Sequence, residues 1–191
     1  MLERLNSPSP RISVVMAVYK EPVGWICQSI NSILDQTFQD FEFIIVNDKP
    51  DREENVQLLN EYAQKDDRIK VITNEKNIGL TKSLNKGISV AIGEYIARMD
   101  ADDISSPNRF ELQVNKLSEG YSFVYPNIDY INSNGESIKG AKSSSKFLES
   151  EFFIFNPIPH PAVMFRASLL ELRNPLYNEK YRRSQDYELW T

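Results

Sequence analysis

A second cysteine is missing. Cys27 stands alone among 191 residues, so no internal disulfide exists, and such cysteine usage fits a reducing cytoplasm with Cys27 as a buried structural thiol. Also missing is any apolar run near the roughly 20 residues that cross a bilayer. The opening MLERLNSPSP has no apolar segment of the secretory kind, and residues 1–11 read as a loose lead. Positive charge is in deficit: 22 basic residues face 27 acidic ones, a formal charge of −5, so the field that accompanies duplex nucleic-acid binding is absent and no nucleic-acid partner is expected. No glycine-rich loop follows the first apolar run, which argues against a triphosphate-embracing nucleotidyltransferase. Nor does an acidic pair stand there, as a phosphoacceptor receiver or an Asp-x-Asp phosphatase would require; the residues are VYKEP.

What is present is a regular alternation. Ile12–Val18 (ISVVMAV) is a continuous apolar, β-branched run, as expected for a parallel strand covered on both faces. Val23, Ile26, Cys27, Ile30, Ile33 and Leu34 then recur at helical spacing. Strands are expected at 41–47, 69–73 and 94–99, with helices at about 53–65 and 80–91, and Pro107 is expected to open a helix that turns Phe110, Val114 and Leu117 inward. This is an α/β chain with a Rossmann-like, mostly parallel central sheet flanked by helices, whose ligand is expected at the strands' C-terminal ends. From Tyr121 the texture becomes aromatic and polar around Asn134-Gly135, which predicts a hairpin. Residues 141–146 read as a polar loop, FLESEFFIF as a short amphipathic helix, NPIPHPAVMF as a proline-punctuated approach to another strand, and SQDYELWT as the beginning of a helix.

The acids of YIARMDADDIS raise the chemical question. Asp100 and Asp102, two apart at an extended strand end, are expected to point the same way. Two charges about 4 Å apart repel by roughly 4 kcal/mol at an effective dielectric near 20. A hard divalent cation, Mn²⁺ or Mg²⁺, would relieve the crowding. Solvated loop acids biased toward the following helix N-terminus would also account for them. The triplet alone leaves both readings open; its position at a strand's C-terminal end favours a ligand site. Asp48 ends another strand, where a turn former is the plain reading. Beside Tyr19 it would offer a carboxylate and a planar ring suited to a nucleobase.

Taken in order, ISVVMAVYKEP, SILDQTFQDFEFIIVND, NIGLTKSLNKGI, GEYIARMDADD, PNRF, HPAVMFR and QDYELW resemble the family 2 glycosyltransferases with the GT-A fold. The resemblance runs from Ile12 almost to the end and implies one domain, 12–191, with a nucleotide-binding half (12–104) and an acceptor-side half (105–191) carrying the small hairpin. It implies that Ala17, Val18 and Tyr19 line a uridine pocket together with Glu21 in the same loop, that Asp48 reads the base edge, and that Lys82 approaches the diphosphate or sugar. Asp100 is expected near the ribose or sugar, Asp102 on the metal, and Asp103 and His160 as additional site residues. His160 between two prolines has a plainer reading as a loop-fixing residue. Asp186 matches the catalytic base.

The implied reaction is inverting, metal-dependent transfer from a UDP-sugar to a hydroxyl of a glycan or lipid-linked glycan, in bacterial surface polysaccharide synthesis. A nucleotide-sugar-binding module without turnover is the alternative. By resemblance the chain works in the cytoplasm or at the cytoplasmic face of the inner membrane, with peripheral attachment left to a segment after Asp186; oligomeric state stays open. Where relatives commonly carry Asp-Gly-Ser, this chain has NDKPD. The adjacent Arg182 and Arg183 read as solvated, and Trp25 and Trp190 as packing residues.

Overall fold

The computed structural model describes residues 9–142, 156, 158–181 and 184–190. The alternation predicted from sequence is present: β1 (Ile12–Val18), α1 (Val23–Leu34), β2 (Phe41–Asn47), α2 (Glu53–Lys65), β3 (Ile69–Thr73), α3 (Leu80–Ser89), β4 (Tyr95–Asp100) and α4 (Arg109–Ser118). These four strands run parallel, and with β8 (Met164–Arg166) and β5 (Phe123–Val124), both joined antiparallel, they form a sheet of order β3-β2-β1-β4-β8-β5.

Both faces of the sheet are covered, which is why β1 and β2 are apolar at nearly every position. Ile12, Val14, Met16 and Val18 pack with Ile26, Ile30 and Ile33 of α1, Leu59 of α2, and Phe110, Val114 and Leu117 of α4. Val15, of opposite parity, packs with Leu84 and Ile88 of α3 and with Ile158, Val163, Phe165, Leu176 and Tyr177. Helix α3 lies so close to β1 that a Cβ at Gly87 would stand 2.7 Å from Val15 Cγ1.

Three details differ from the sequence expectation. Helix α4 starts at Arg109 rather than at Pro107, because the buried Gln36 caps it from outside: its Oε1 accepts from Phe110 N (3.0 Å) while its Nε2 donates to Ser106 O (2.7 Å). Phe123 and Val124, read as part of a hairpin stretch, pair with β8 in the main sheet, and the hairpin is β6 (Asp129–Ile131) with β7 (Ser137–Lys142), closed by Gly135 at φ 80°. Cys27 is only half-buried, beside Tyr62, and Trp25 on α1 is 37% exposed. The expected helix 147–155 lies outside the described residues, as do Arg182 and Arg183. Beyond β7 a 3₁₀ turn (His160–Ala162) leads into β8, and α5 spans Gln185–Trp190. Among the described residues no helix is long and apolar enough to cross a membrane.

Candidate functional site

Strand register brings the predicted residues to one edge. Ala17 pairs with Asp100 across β1 and β4, and Val18 pairs with Asn47 across β1 and β2. Asp48 N then donates to Val18 O at 2.8 Å, which sets Asp48 next to Tyr19. Val18 is fully buried, so its side chain belongs to the core and only its backbone faces the edge. The loop after β1 is held from both sides. Glu21 accepts from Tyr19 N (2.7 Å), Asn55 Nδ2 donates to Tyr19 O (2.9 Å), and Arg52 Nη1 donates to Glu21 O (2.8 Å). The Tyr19 ring stays at the surface, 36% exposed, with Lys20 Nζ 5.1 Å from its centroid. After β2, Asn47 Oδ1 accepts from Lys49 N (3.1 Å), an Asx turn that shapes NDKPD.

Asp48 is buried and its carboxylate is saturated. Oδ1 accepts from Asn74 Nδ2 and Ile78 N, and Oδ2 from Asn77 Nδ2 and Gly79 N, all at 2.8 Å. The two backbone groups, Ile78 N and Gly79 N, belong to the approach to α3, whose N-cap is Gly79 (φ 90°). Asp48 therefore ties the end of β2 to the turn that leads into α3. Lys82, in the first turn of α3, is exposed and has no ion pair among the described residues.

The acidic turn answers its own repulsion from within. The strand ends at Asp100, and Asp103 N returns to Asp100 O (3.4 Å), so Asp100 and Asp102 do not continue one extended edge as expected from sequence; the chain turns between them. Arg98, one of the largest fully buried side chains, donates from Nη2 to Asp100 Oδ1 at 2.5 Å and from Nη1 to Val15 O and Met99 O. Arg109 reaches the same strand, donating to Arg98 O at 2.7 Å. Burial, and then the neighbouring charge of Arg98, push its pKa down to about 10.

A permanent internal cation thus neutralises one of the three acids. Asp103 is exposed as a residue, yet partial desolvation of its carboxyl and then the charges of Asp100 and Asp102 push its pKa up to about 6, against the pull of Arg98 and Arg109. Asp102 is exposed and accepts no hydrogen bond among the described residues. No three His, Cys, Asp or Glu side chains among the described residues form a cage for a metal. An open carboxylate of this kind suits Mg²⁺ or Mn²⁺, which bind through one or two carboxylates and complete their shell with water and substrate phosphate.

The C-terminal segments close the site from the other face. Asn85 of α3 holds them with both ends of its amide: Nδ2 donates to Tyr177 O (2.8 Å) and Oδ1 accepts from Tyr177 N (3.0 Å). Thr81 Oγ1 donates to Tyr181 O at 3.0 Å. Tyr177 is fully buried, and its hydroxyl meets His160 Nε2 at 2.7 Å. Desolvation first, with opposing Arg98 and reinforcing Asp100 and Asp186 charges, pushes the Tyr177 pKa up to about 12. His160 is buried, and burial followed by the Arg98 charge holds its pKa well below the usual imidazole range, so it is neutral. Its ring packs edge-on to Tyr177 and Trp190. Asp186, in the first turn of α5, accepts from Asn156 Nδ2 at 2.8 Å.

Arg98, Tyr177, Asn85 and Asn156 were not singled out from sequence. A charged residue inside an otherwise apolar strand, as in YIARMD, was the one available signal, since an arginine there has to find a buried carboxylate.

The family model described as Glycosyl transferase family 2 matches residues 13–173. An uncharacterized glycosyltransferase of Methanocaldococcus jannaschii is 40% identical over 190 residues, covering 95% of this chain and 63% of that protein. An O-antigen biosynthesis glycosyltransferase of Escherichia coli, WbnJ, is 37% identical over 182 residues, covering 94% of this chain and 70% of its own length. The chain thus spans less than two thirds of the M. jannaschii relative. Its fold matches S. aureus TarS 1–349 in complex with UDP, at TM-score 0.76 and 21% identity over 94% of this chain and 53% of that one. The TarS complex with UDP-GlcNAc gives the same TM-score of 0.76.

Proposed function

The chain belongs to glycosyl transferase family 2, and from that premise we propose that it moves a sugar from a UDP-sugar, with inversion, onto a hydroxyl of a glycan or lipid-linked glycan. The observation that carries this reading is the strand register that brings Ala17, Val18, Asp48 and Asp100 to one edge of the sheet. TarS crystallises with UDP and with UDP-GlcNAc, which supports a uridine donor. The O-antigen relative supports surface polysaccharide synthesis, carried out in the cytoplasm or at the cytoplasmic membrane face.

In this reading the Tyr19 ring stacks on the base beside the Ala17 and Val18 backbone, with Glu21 fixing the loop. Asp48 lies beside Tyr19 at the base edge and fixes the turn before α3, while Lys82, in the first turn of that helix, approaches the diphosphate or sugar. Asp100, oriented by Arg98, faces the ribose or sugar, and Asp102 holds the cation. A bound Mn²⁺ or Mg²⁺ supplies positive charge to the departing diphosphate. Asp186 takes the proton of the acceptor hydroxyl as its oxygen bonds to the anomeric carbon and the bond to diphosphate breaks.

The test is a thermal-shift screen of nucleoside diphosphate sugars with and without Mn²⁺, followed by turnover of the best donor in wild type and Asp186→Asn. Specific binding raises apparent stability. Mn²⁺-dependent stabilisation by a UDP-sugar, with donor binding retained and transfer lost in Asp186→Asn, is the expected result. Stabilisation without turnover in the wild type would favour the binding-module alternative, and stabilisation by no UDP-sugar would overturn the donor assignment.

A further inference from the structure

We propose that Asn156 is the positioning residue of the acceptor-side carboxylate, an inference that rests on Asp186 being the base. Asn156 Oδ1 accepts from Ile158 N at 3.1 Å, while Nδ2 donates to Asp186 Oδ2 at 2.8 Å. The first contact settles the second. An amide whose oxygen is fixed by a backbone N–H presents only its NH₂ to the neighbour, so the group cannot reverse without losing both bonds.

Asp186 has two oxygens. Oδ2 takes the Asn156 proton, and Oδ1 has no partner among the described residues. One oxygen is anchored and the other is left for an acceptor hydroxyl. A free aspartate on a six-residue helix would sample several rotamers; the anchored one holds its second oxygen in a single direction, which is what a positioned base requires.

The chemistry of the anchor matters as well. A lysine or arginine at position 156 would hold the carboxylate equally well but would stabilise its ionised form and weaken it as a base. A neutral amide orients it without adding a full positive charge beside it. Arg173 is engaged elsewhere, with Glu188 at 2.5 Å. Ile158 is buried in the cluster around Val15, Leu84 and Tyr177, so the amide that aims at Asp186 is referenced to the same core that carries α3.

The test is a double-mutant cycle on release of UDP from the donor chosen by the screen, with Mn²⁺ and with water as acceptor. Asn156→Ala should lower kcat roughly 10- to 100-fold and leave the Kd for UDP unchanged. Asn156→Ser, which keeps a hydrogen-bond donor, should recover part of the rate. In an Asp186→Asn background, adding Asn156→Ala should cost nothing further, because a residue acting only through Asp186 has nothing left to position. Equal losses in both backgrounds, or a wild-type kcat in Asn156→Ala, would overturn the inference. Full activity of Asp186→Asn would instead overturn the assignment of the base. If Asn156→Ala does not fold, the proposal stands or falls on Asn156→Ser: a raised KM for the sugar donor with unchanged kcat would count against it.

Discussion

Asp48 and Asp102 stand on either side of β1 at the same edge of one sheet, yet Asp48 accepts four hydrogen bonds at 2.8 Å and Asp102 accepts none among the described residues. The first is buried and fixes the turn before a helix; the second is exposed beyond a strand end. Between them in character lies Asp100, with one oxygen on a buried guanidinium and its side chain 32% exposed. The gradient from sealed to open matches the part proposed for each acid. A carboxylate that organises backbone has to be satisfied by the protein, whereas one that receives a cation has to be left incomplete.

The contrast breaks most visibly at the sealed corner. Asp48→Ala leaves two backbone N–H groups and two asparagine amides without their acceptor, and should lower unfolding free energy by about 3 kcal/mol or more in urea denaturation. Asp102→Ala should do the reverse. Its stability in the absence of ligand should change by less than about 0.5 kcal/mol, while Mn²⁺-dependent UDP affinity by isothermal titration should fall on the order of 100-fold. Unchanged UDP affinity in Mn²⁺ would remove Asp102 from the cation site.

The smallest effect sharpens the open corner. Asp103 has its pKa pushed from 3.8 up to about 6, so the folded chain binds this proton more tightly than the unfolded chain. Its contribution to stability is present below about pH 4 and is lost as pH rises toward 6. With chelator present, Asp103→Asn should gain stability over wild type at pH 7 and show no gain near pH 4, as read by thermal melts at both pH values.

Much of the nucleotide side was legible because its signals are local. The residue bounds read for β1, β2, β3 and α2 coincide with the observed elements, since continuous apolar strands and amphipathic helices declare themselves within one window. The acceptor side was less so. The α4 start depends on Gln36, 74 residues from the Phe110 amide it caps, and Phe123–Val124 is too short a strand for periodicity to assign. The same divide runs through the site. The acids at strand ends could be picked out by position, but Arg98 beneath them and Asn156 beside Asp186 are known only by contact, the latter across 30 residues. Nor does a sequence window reveal that the lone pairs of Asp48 are already filled.

Helix α3 is joined to three separate parts of this arrangement. Asp48 binds the approach to its first turn, Gly87 presses its backbone onto β1, and Asn85 grips the Tyr177 segment that leads to Asp186. The two sides of the candidate site therefore share one ten-residue helix. A shift of this helix would therefore be felt both at the turn after β2 and at the segment around Tyr177.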